Sequence, residues 1–254
     1  MRADTAGRTR LVNLRQSGSL KLVFPQTHRP DAEAILVNTA GGITGGDQYK
    51  TTAHVGAGAC LSITTQAAER AYRAQAGEIG RLTTTLTVAA GGRLNWLPQE
   101  MILFDQSALH RHLSIDLATD AHLLMVEPLV FGRAAMGESL NDITFQDRIR
   151  ITRDGQPIYY DGVDLHGDAS AHLARPAVAK GAGAMASLVC VVPDAAVYLP
   201  KIRALLPATA GASLIADDIL VLRLLATDSF ELRRSLVPVL NLLTQNTLPT
   251  SWRL

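Results

Sequence analysis

Four glutamates stand where a charged side chain is costly. Glu69 lies in QAAERAY, Glu100 in LPQEMILF, Glu127 in LMVEPLVFG and Glu138 in AAMGES. A carboxylate among apolar residues loses hydration, which an ion pair, hydrogen bonds or a bound cation must offset. Glu127, between Val126 and Pro128, is the clearest case, with Arg133 as an available ion-pair partner. Beside that structural reading stand two chemical ones. The carboxylates could be oxygen ligands for a divalent ion, or Glu100 and Glu127 could be paired groups in a β-sandwich hydrolase. Nucleophilic catalysis has no local signature: there is no GxSxG, and neither Cys60 nor Cys190 has a His beside it.

His110 and His112 are two apart on an alternating segment, opposite the face that carries Leu113 and Ile115. His122 follows across a short turn. The three make a weak alternative site for a transition metal, against the plainer reading of a solvated strand face. A glycine-rich loop, NTAGGITGGD, follows the apolar run Ala34-Ile35-Leu36-Val37 and contains Gly41, Gly42, Gly45, Gly46 and Asp47. A GxxxxGK phosphate loop needs a Lys to neutralise phosphate, and Asp47 stands in that place. A dinucleotide loop needs GxGxxG opening a helix, whereas GGxxGG here precedes a strand-like run. The loop therefore reads as a tight connection with positive φ at several positions, or as backbone passing close to a partner or another segment.

The elements that must position these residues read with period two. Leu82, Thr84, Leu86 and Val88 share a face, as do Ile143, Phe145, Ile149 and Ile151, and so do Leu109, Leu113, Ile115 and Leu117, with Arg111 as the exception. Such alternation marks half-buried antiparallel strands. Strands are predicted over 33–38, 48–55, 59–65, 78–89, 93–103, 108–117, 121–131, 143–153 and 156–163, with a hairpin at Asp154-Gly155. The last quarter adds a helix from Asp194 to Leu206, strands near 211–216 and 219–226, and a helix capped by Asp228 that Pro238 should kink or split. The fold class is mainly β: stacked antiparallel or mixed sheets in one domain spanning 1–254, β-rich over 1–192 and helix-containing over 193–254. The tail, with Trp252, is expected to be exposed, its Trp serving a partner contact or docking on the core.

The bulk numbers exclude several classes. The chain has 254 residues, 47% apolar and 19% charged, with a net charge of +1. It is long enough for a sizeable core and gives no reason to expect nucleic acid or an anionic membrane. Arg148, Arg150 and Arg153 are interleaved with acidic residues and read as a solvated face. Two cysteines cannot build a disulfide framework or a four-thiolate zinc site. The first residues lack an apolar secretory region, and the longest apolar runs are too short to span a bilayer. A cytoplasmic protein is expected.

Six segments occur in a telling order: LVNTAGGITGGD, ITTQAAERAYR, LNWLPQEMILFDQSALHRH, VFGRAAMGES, RIRITRDGQPIYYDG and LPTSWRL. Together they resemble the urease accessory protein UreD family, also called UreH, from Leu11 to Arg253. All fixed positions of its NTAGG–GGD pattern are present. TTQAxEKxYR is matched through Tyr72, with Arg70 replacing Lys, and GRxAxGE is matched through Arg133 and Glu138. The resemblance implies a β-rich protein that is not itself a catalyst. It implies assembly with UreF and the GTPase UreG on apo-urease, where nickel is inserted and the active-site lysine carbamylated. No tightly bound cofactor is implied, only transient Ni²⁺ on an internal route. On this resemblance Asp47, Glu69, Glu100, Glu127 and Glu138 are expected to include residues that line or support that route.

Overall fold

The computed structural model describes residues 1–26 and 29–252. His28, Arg253 and Leu254, the last two at the end of the LPTSWRL match, lie outside the described residues. The strands are β1 (Arg2–Ala3), β2 (Thr9–Arg10), β3 (Leu20–Val23), β4 (Ala32–Asn38), β5 (Gln48–Val55), β6 (Cys60–Thr65), β7 (Glu69–Ala71), β8 (Gly80–Val88), β9 (Arg93–Leu97), β10 (Met101–Leu103), β11 (Ala108–Leu117), β12 (His122–Phe131), β13 (Ile143–Arg153) and β14 (Gln156–Gly167). Then follow helix α1 (Ala169–Ala174), β15 (Ala184–Val191), α2 (Ala195–Leu205), β16 (Ala210–Ala216), β17 (Ile219–Ala226) and α3 (Ser229–Leu243).

Two large sheets carry the molecule. A ten-stranded sheet runs β16-β17-β15-β12-β9-β6-β4-β3, with β10 beside β12 and β7 beside β10; a five-stranded sheet runs β14-β13-β11-β8-β5. From β4 to β13 the chain alternates between the sheets. Each pass lies parallel to the preceding one in its own sheet: β4 with β6, β6 with β9, β9 with β12, and likewise β5, β8, β11 and β13. Parallel strands need a crossover, usually a helix that covers the sheet. Here a strand of the opposite sheet supplies the crossover. The outer face of the five-stranded sheet is thus left to solvent, with Lys50, Thr52, Arg81, His112 and Arg150 exposed. That explains the polar–apolar alternation of parallel strands, a pattern expected of antiparallel ones. The sheets are mixed, antiparallel pairs lying at their margins.

Several boundaries differ from expectation. The run 93–103 splits into β9 and β10 because Pro98 has no N–H to donate, and Gln99 N donates to Thr65 Oγ1 instead. Helix α1, capped by Asp168 Oδ1 accepting from Ala171 N, was not anticipated, nor were β1, β2 and β3. Asp228 does cap α3, its Oδ1 accepting from Glu231 N, whereas Asp194 makes no side-chain cap bond. Pro238 does not split α3, which continues to Leu243. Trp252 is not exposed: it is 1% accessible, and its Nε1 donates to Leu97 O at 2.9 Å.

The apolar interior has three parts. One cluster packs α2, α3 and the tail onto the outer face of the ten-stranded sheet, with Leu232, Leu236 and Trp252 inside it. The other two lie between the sheets. One contains Leu113, Met125 and Ile149, the other Leu109, Leu129 and Phe145.

Candidate functional site

A charged layer separates the two inter-sheet clusters. Arg111 lies between Leu109 and Leu113 on β11, Glu127 between Met125 and Leu129 on β12, and Asp147 between Phe145 and Ile149 on β13. Strand alternation turns all three inward, and register places Arg111 directly beside Asp147. Arg111 Nε and Nη2 donate to Asp147 Oδ1 and Oδ2 at 2.9 and 2.6 Å, a planar fork on a carboxylate. Its Nη1 reaches across to Glu127 Oε2 at 2.6 Å, and Trp96 Nε1 donates to Glu127 Oε1 at 2.6 Å. The guanidinium also lies 5.9 Å from the Phe145 ring centroid. Exposures of 8%, 4% and 3% for Arg111, Glu127 and Asp147 put the triad in a low-dielectric interior.

Electrostatics follow from this count of two carboxylates and one guanidinium. Burial pushes the Glu127 carboxyl above its usual range; Arg111 opposes that push and Asp147 adds to it. Burial works against the Arg111 charge, but Asp147 and Glu127 overcome it and hold the guanidinium protonated. Arg133, expected as the partner of Glu127, pairs instead with Glu138, at 2.8 Å.

Beside the triad is a cavity of about 50 Å³, whose wall includes Glu69, Trp96, Gln99, Arg111 and Glu127. A water needs roughly 10–15 Å³ on this scale, so the cavity has room for about three to five waters. Glu69 Oε2 accepts from Asn38 Nδ2 at 3.1 Å, and Oε1 from Arg70 N at 3.0 Å. Among the described residues Glu69 makes no salt bridge, and burial raises its pKa despite those bonds.

The other carboxylates are placed elsewhere. Glu100 faces α3, where Arg233 Nη1 lies 3.2 Å from it and also holds Gln99. Arg233 in turn donates to Trp252 O and stacks on the Trp252 ring at 5.0 Å. Glu100 and Glu127 therefore contact opposite sides of the ten-stranded sheet and share no cleft. Glu138 accepts from Arg133 N, Nε and Nη2 and from Asp105 N, which holds its carboxyl below the usual range. Asp47 Oδ2 accepts from Thr44 N at 2.9 Å, closing its own loop.

The glycines divide the same way. Gly41 and Gly46 both have φ of +81°, which L side chains rarely adopt. Gly42 and Gly45 meet another segment: a Cβ on Gly42 would lie 2.2 Å from Tyr72 Cε2, and one on Gly45 would lie 2.7 Å from Glu78 Cβ. Tyr72 OH donates to Gly41 O, and its ring meets Phe104 edge-on at 5.0 Å, while Arg133 stacks on Phe104 at 4.2 Å. The recurring motifs thus interlock at one surface. The histidines do not converge: His110 and His112 face out of the five-stranded sheet, and His122 opens β12 in the other. Burial and then Arg81 lower the His110 pKa; burial and then Arg93 lower that of His122. Among the described residues no cluster of three or more His, Cys, Asp or Glu could hold a metal.

Sequence reasoning passed over Arg111 and did not single out Asp147. The available signal was that both interrupt an apolar face with opposite charges.

Fold and site together define a two-sheet β coil with an ion-paired interior layer beside a small, mostly apolar cavity whose wall includes Glu69, Arg111 and Glu127. The family model described as "UreD urease accessory protein" matches residues 1–253. A urease accessory protein UreD of Ruegeria pomeroyi is 57% identical over 242 residues, covering 95% of this chain and 94% of the relative. One of Roseobacter denitrificans is 55% identical, with 95% and 88% covered, and one of Rhizobium etli is 42% identical, with 98% and 91% covered. The chain belongs to the UreD urease accessory protein family, and its role lies in urease maturation. No helix among the described residues is long and apolar enough to cross a membrane.

Proposed function

We propose that the chain acts with UreF and UreG on apo-urease as a non-catalytic nickel-delivery factor in the cytoplasm. Ni²⁺ passes transiently through its interior. The observation that carries this reading is Glu69, a carboxylate with no salt bridge among the described residues, on the wall of a partly open cavity whose lining also includes Glu127 and Arg111. Oxygen donors suit a passage better than several imidazoles or thiolates, because they release a borderline ion more readily. On this reading Glu69 and Glu127 face the ion. Glu100, Glu138 and Asp47 brace the walls through Arg233, Arg133 and the Thr44 amide.

The test is co-expression of urease with its accessory proteins, with and without this chain, measuring nickel content and urea hydrolysis. Omission should leave urease nickel-poor. Glu69→Gln should fold, enter the accessory complex and lower the rate of activation. Equal nickel loading without the chain would overturn the role, and a normal rate with Glu69→Gln would remove Glu69 from the passage.

A further inference from the structure

Strand β5 is an edge of the five-stranded sheet, paired only with β8. Arg81 N donates to Asp47 O at 2.7 Å and Ala89 N to Val55 O at 2.8 Å. Backbone bonds in a parallel ladder fall on alternate residues, so Tyr49, Thr51 and Ala53 turn theirs to β8, and Gln48, Lys50, Thr52 and His54 turn theirs to the open edge. One end of that edge is already used. Met1 N donates to His54 O at 2.8 Å and Gly56 N to Met1 O at 2.9 Å, the pattern of a parallel bridge. Beyond it, among the described residues, the N–H and C=O of Lys50 and Thr52 make no hydrogen bond within the chain. An unpaired run of this kind is a template for another strand. Two grooves of about 560 and 460 Å³ flank it, both lined by Thr51 and Thr52. The larger reaches the inter-sheet core at Leu22, Ala34, Leu61 and Ile63, where alternate side chains of an added strand would be buried. The grooves carry Arg2, Arg15 and Lys50; among the described residues no Asp or Glu lines them, and none of the three cations forms a salt bridge.

We propose that the open edge of β5 over Gln48–Thr52 is a docking slot for an extended segment of a partner protein, which adds as a strand, buries apolar residues at alternate positions and sets acidic residues against Arg15 and Lys50. Backbone bonds to Lys50 and Thr52 supply affinity, and the groove beside Leu61 and Ile63 supplies selectivity. Segment 11–17, exposed throughout, contributes to the walls of both grooves. A second copy of β5 would bring its own segment 11–17 into the same space, so the slot takes one thin segment and not another edge of this chain. The proposal rests on the reading above for the choice of partners and not for the passage of nickel.

The test is residue-resolved hydrogen exchange of the full chain, alone and with purified UreF, UreG and apo-urease, singly and together, association being followed by size-exclusion chromatography. Alone, the Lys50 and Thr52 amides should exchange fast and those of Thr51 and Ala53 slowly. In the complex, Lys50 and Thr52 should slow by about tenfold or more. Association that leaves both amides exchanging fast overturns the docking slot alone, and no association with any partner overturns both the slot and the reading on which it rests. Protection that rises with the concentration of the chain by itself identifies a second copy and also overturns the proposal. Thr52→Pro removes an outward N–H and leaves the β5–β8 ladder intact, a substitution that edge strands tolerate. It should bind about tenfold or more weakly than wild type, and Thr52→Val should bind as wild type. Equal binding by Thr52→Pro overturns the proposal. If Thr52→Pro does not fold, Arg15→Glu with Lys50→Glu, both on exposed side chains, should weaken binding at low salt by about tenfold, and unchanged binding has the same force. No measurement includes nickel, so the result is separable from the Glu69→Gln activation rate.

Discussion

Replacing Trp252 by Ala should cost about 4 kcal/mol. The side chain is 1% exposed in the cluster formed by α2, α3 and the ten-stranded sheet. Truncating a buried Trp or Phe to Ala costs about 3–5 kcal/mol through lost transfer energy and the cavity left behind. The substitution also leaves Leu97 O without the Nε1 donor and removes the ring on which Arg233 stacks. For a chain of this size about 2–4 °C accompanies each kcal/mol, so the midpoint should fall by roughly 8–16 °C. Trp252→Phe keeps most of the apolar volume and loses the N–H, and should cost about 1–2 kcal/mol. Thermal and urea unfolding followed by far-UV circular dichroism give the magnitudes. Hydrogen exchange should report faster opening at Gln99 and Glu100, because Arg233 links that break to the tail. A cost below about 1 kcal/mol for Trp252→Ala would refute the claim that the tail is part of the core.

Three further outcomes follow from the interior and the glycine loop. Asp147→Ala should lower stability by about 3 kcal/mol in urea unfolding, and a cycle with Glu127→Gln should show coupling of roughly 0.5–3 kcal/mol; strict additivity would contradict a shared network. Gly42→Ala should cost about 1–3 kcal/mol because its methyl meets the Tyr72 ring, and Tyr72→Ala in the same chain should recover part of that loss in thermal melts. Burial raises the Glu69 pKa, so its favourable contribution is complete below the ordinary carboxylate range and is lost as pH rises through the folded value. Glu69→Gln should therefore gain stability relative to wild type between about pH 4 and pH 7, in matched denaturant titrations.

The strands were legible because one face of each meets water. The coil was not, because period two is the same for parallel and antiparallel pairing and the partner strand lies about 30 residues away: Ala32 pairs with Leu61, Cys60 with Arg93, and Arg93 with His122. The isolated glutamates were legible as costly charges, but their partners were not. Arg133 is near Glu127 in sequence, yet Arg111 reaches it from the other sheet. Arg111 looked like an exception to its strand's pattern, and only register with Asp147 turns that exception into one arm of a triad. Trp252 was misread because nearness to a terminus says nothing about burial once a Trp can reach a carbonyl such as Leu97 O.

The alternation of strands between two sheets also determines which turns are held from one side only. In a stacked coil each turn is stabilised by its neighbours, and an end turn has a neighbour on only one side. Strands β3, β4 and β5 form such an end, and Leu20, Leu36, Tyr49 and Thr51 from them make up part of the cavity wall. Local opening is cheapest where stabilisation is one-sided. The fraying free energy of this first turn is thus a quantity separate from global stability, readable as the amide-exchange protection of β4 and β5 relative to β12.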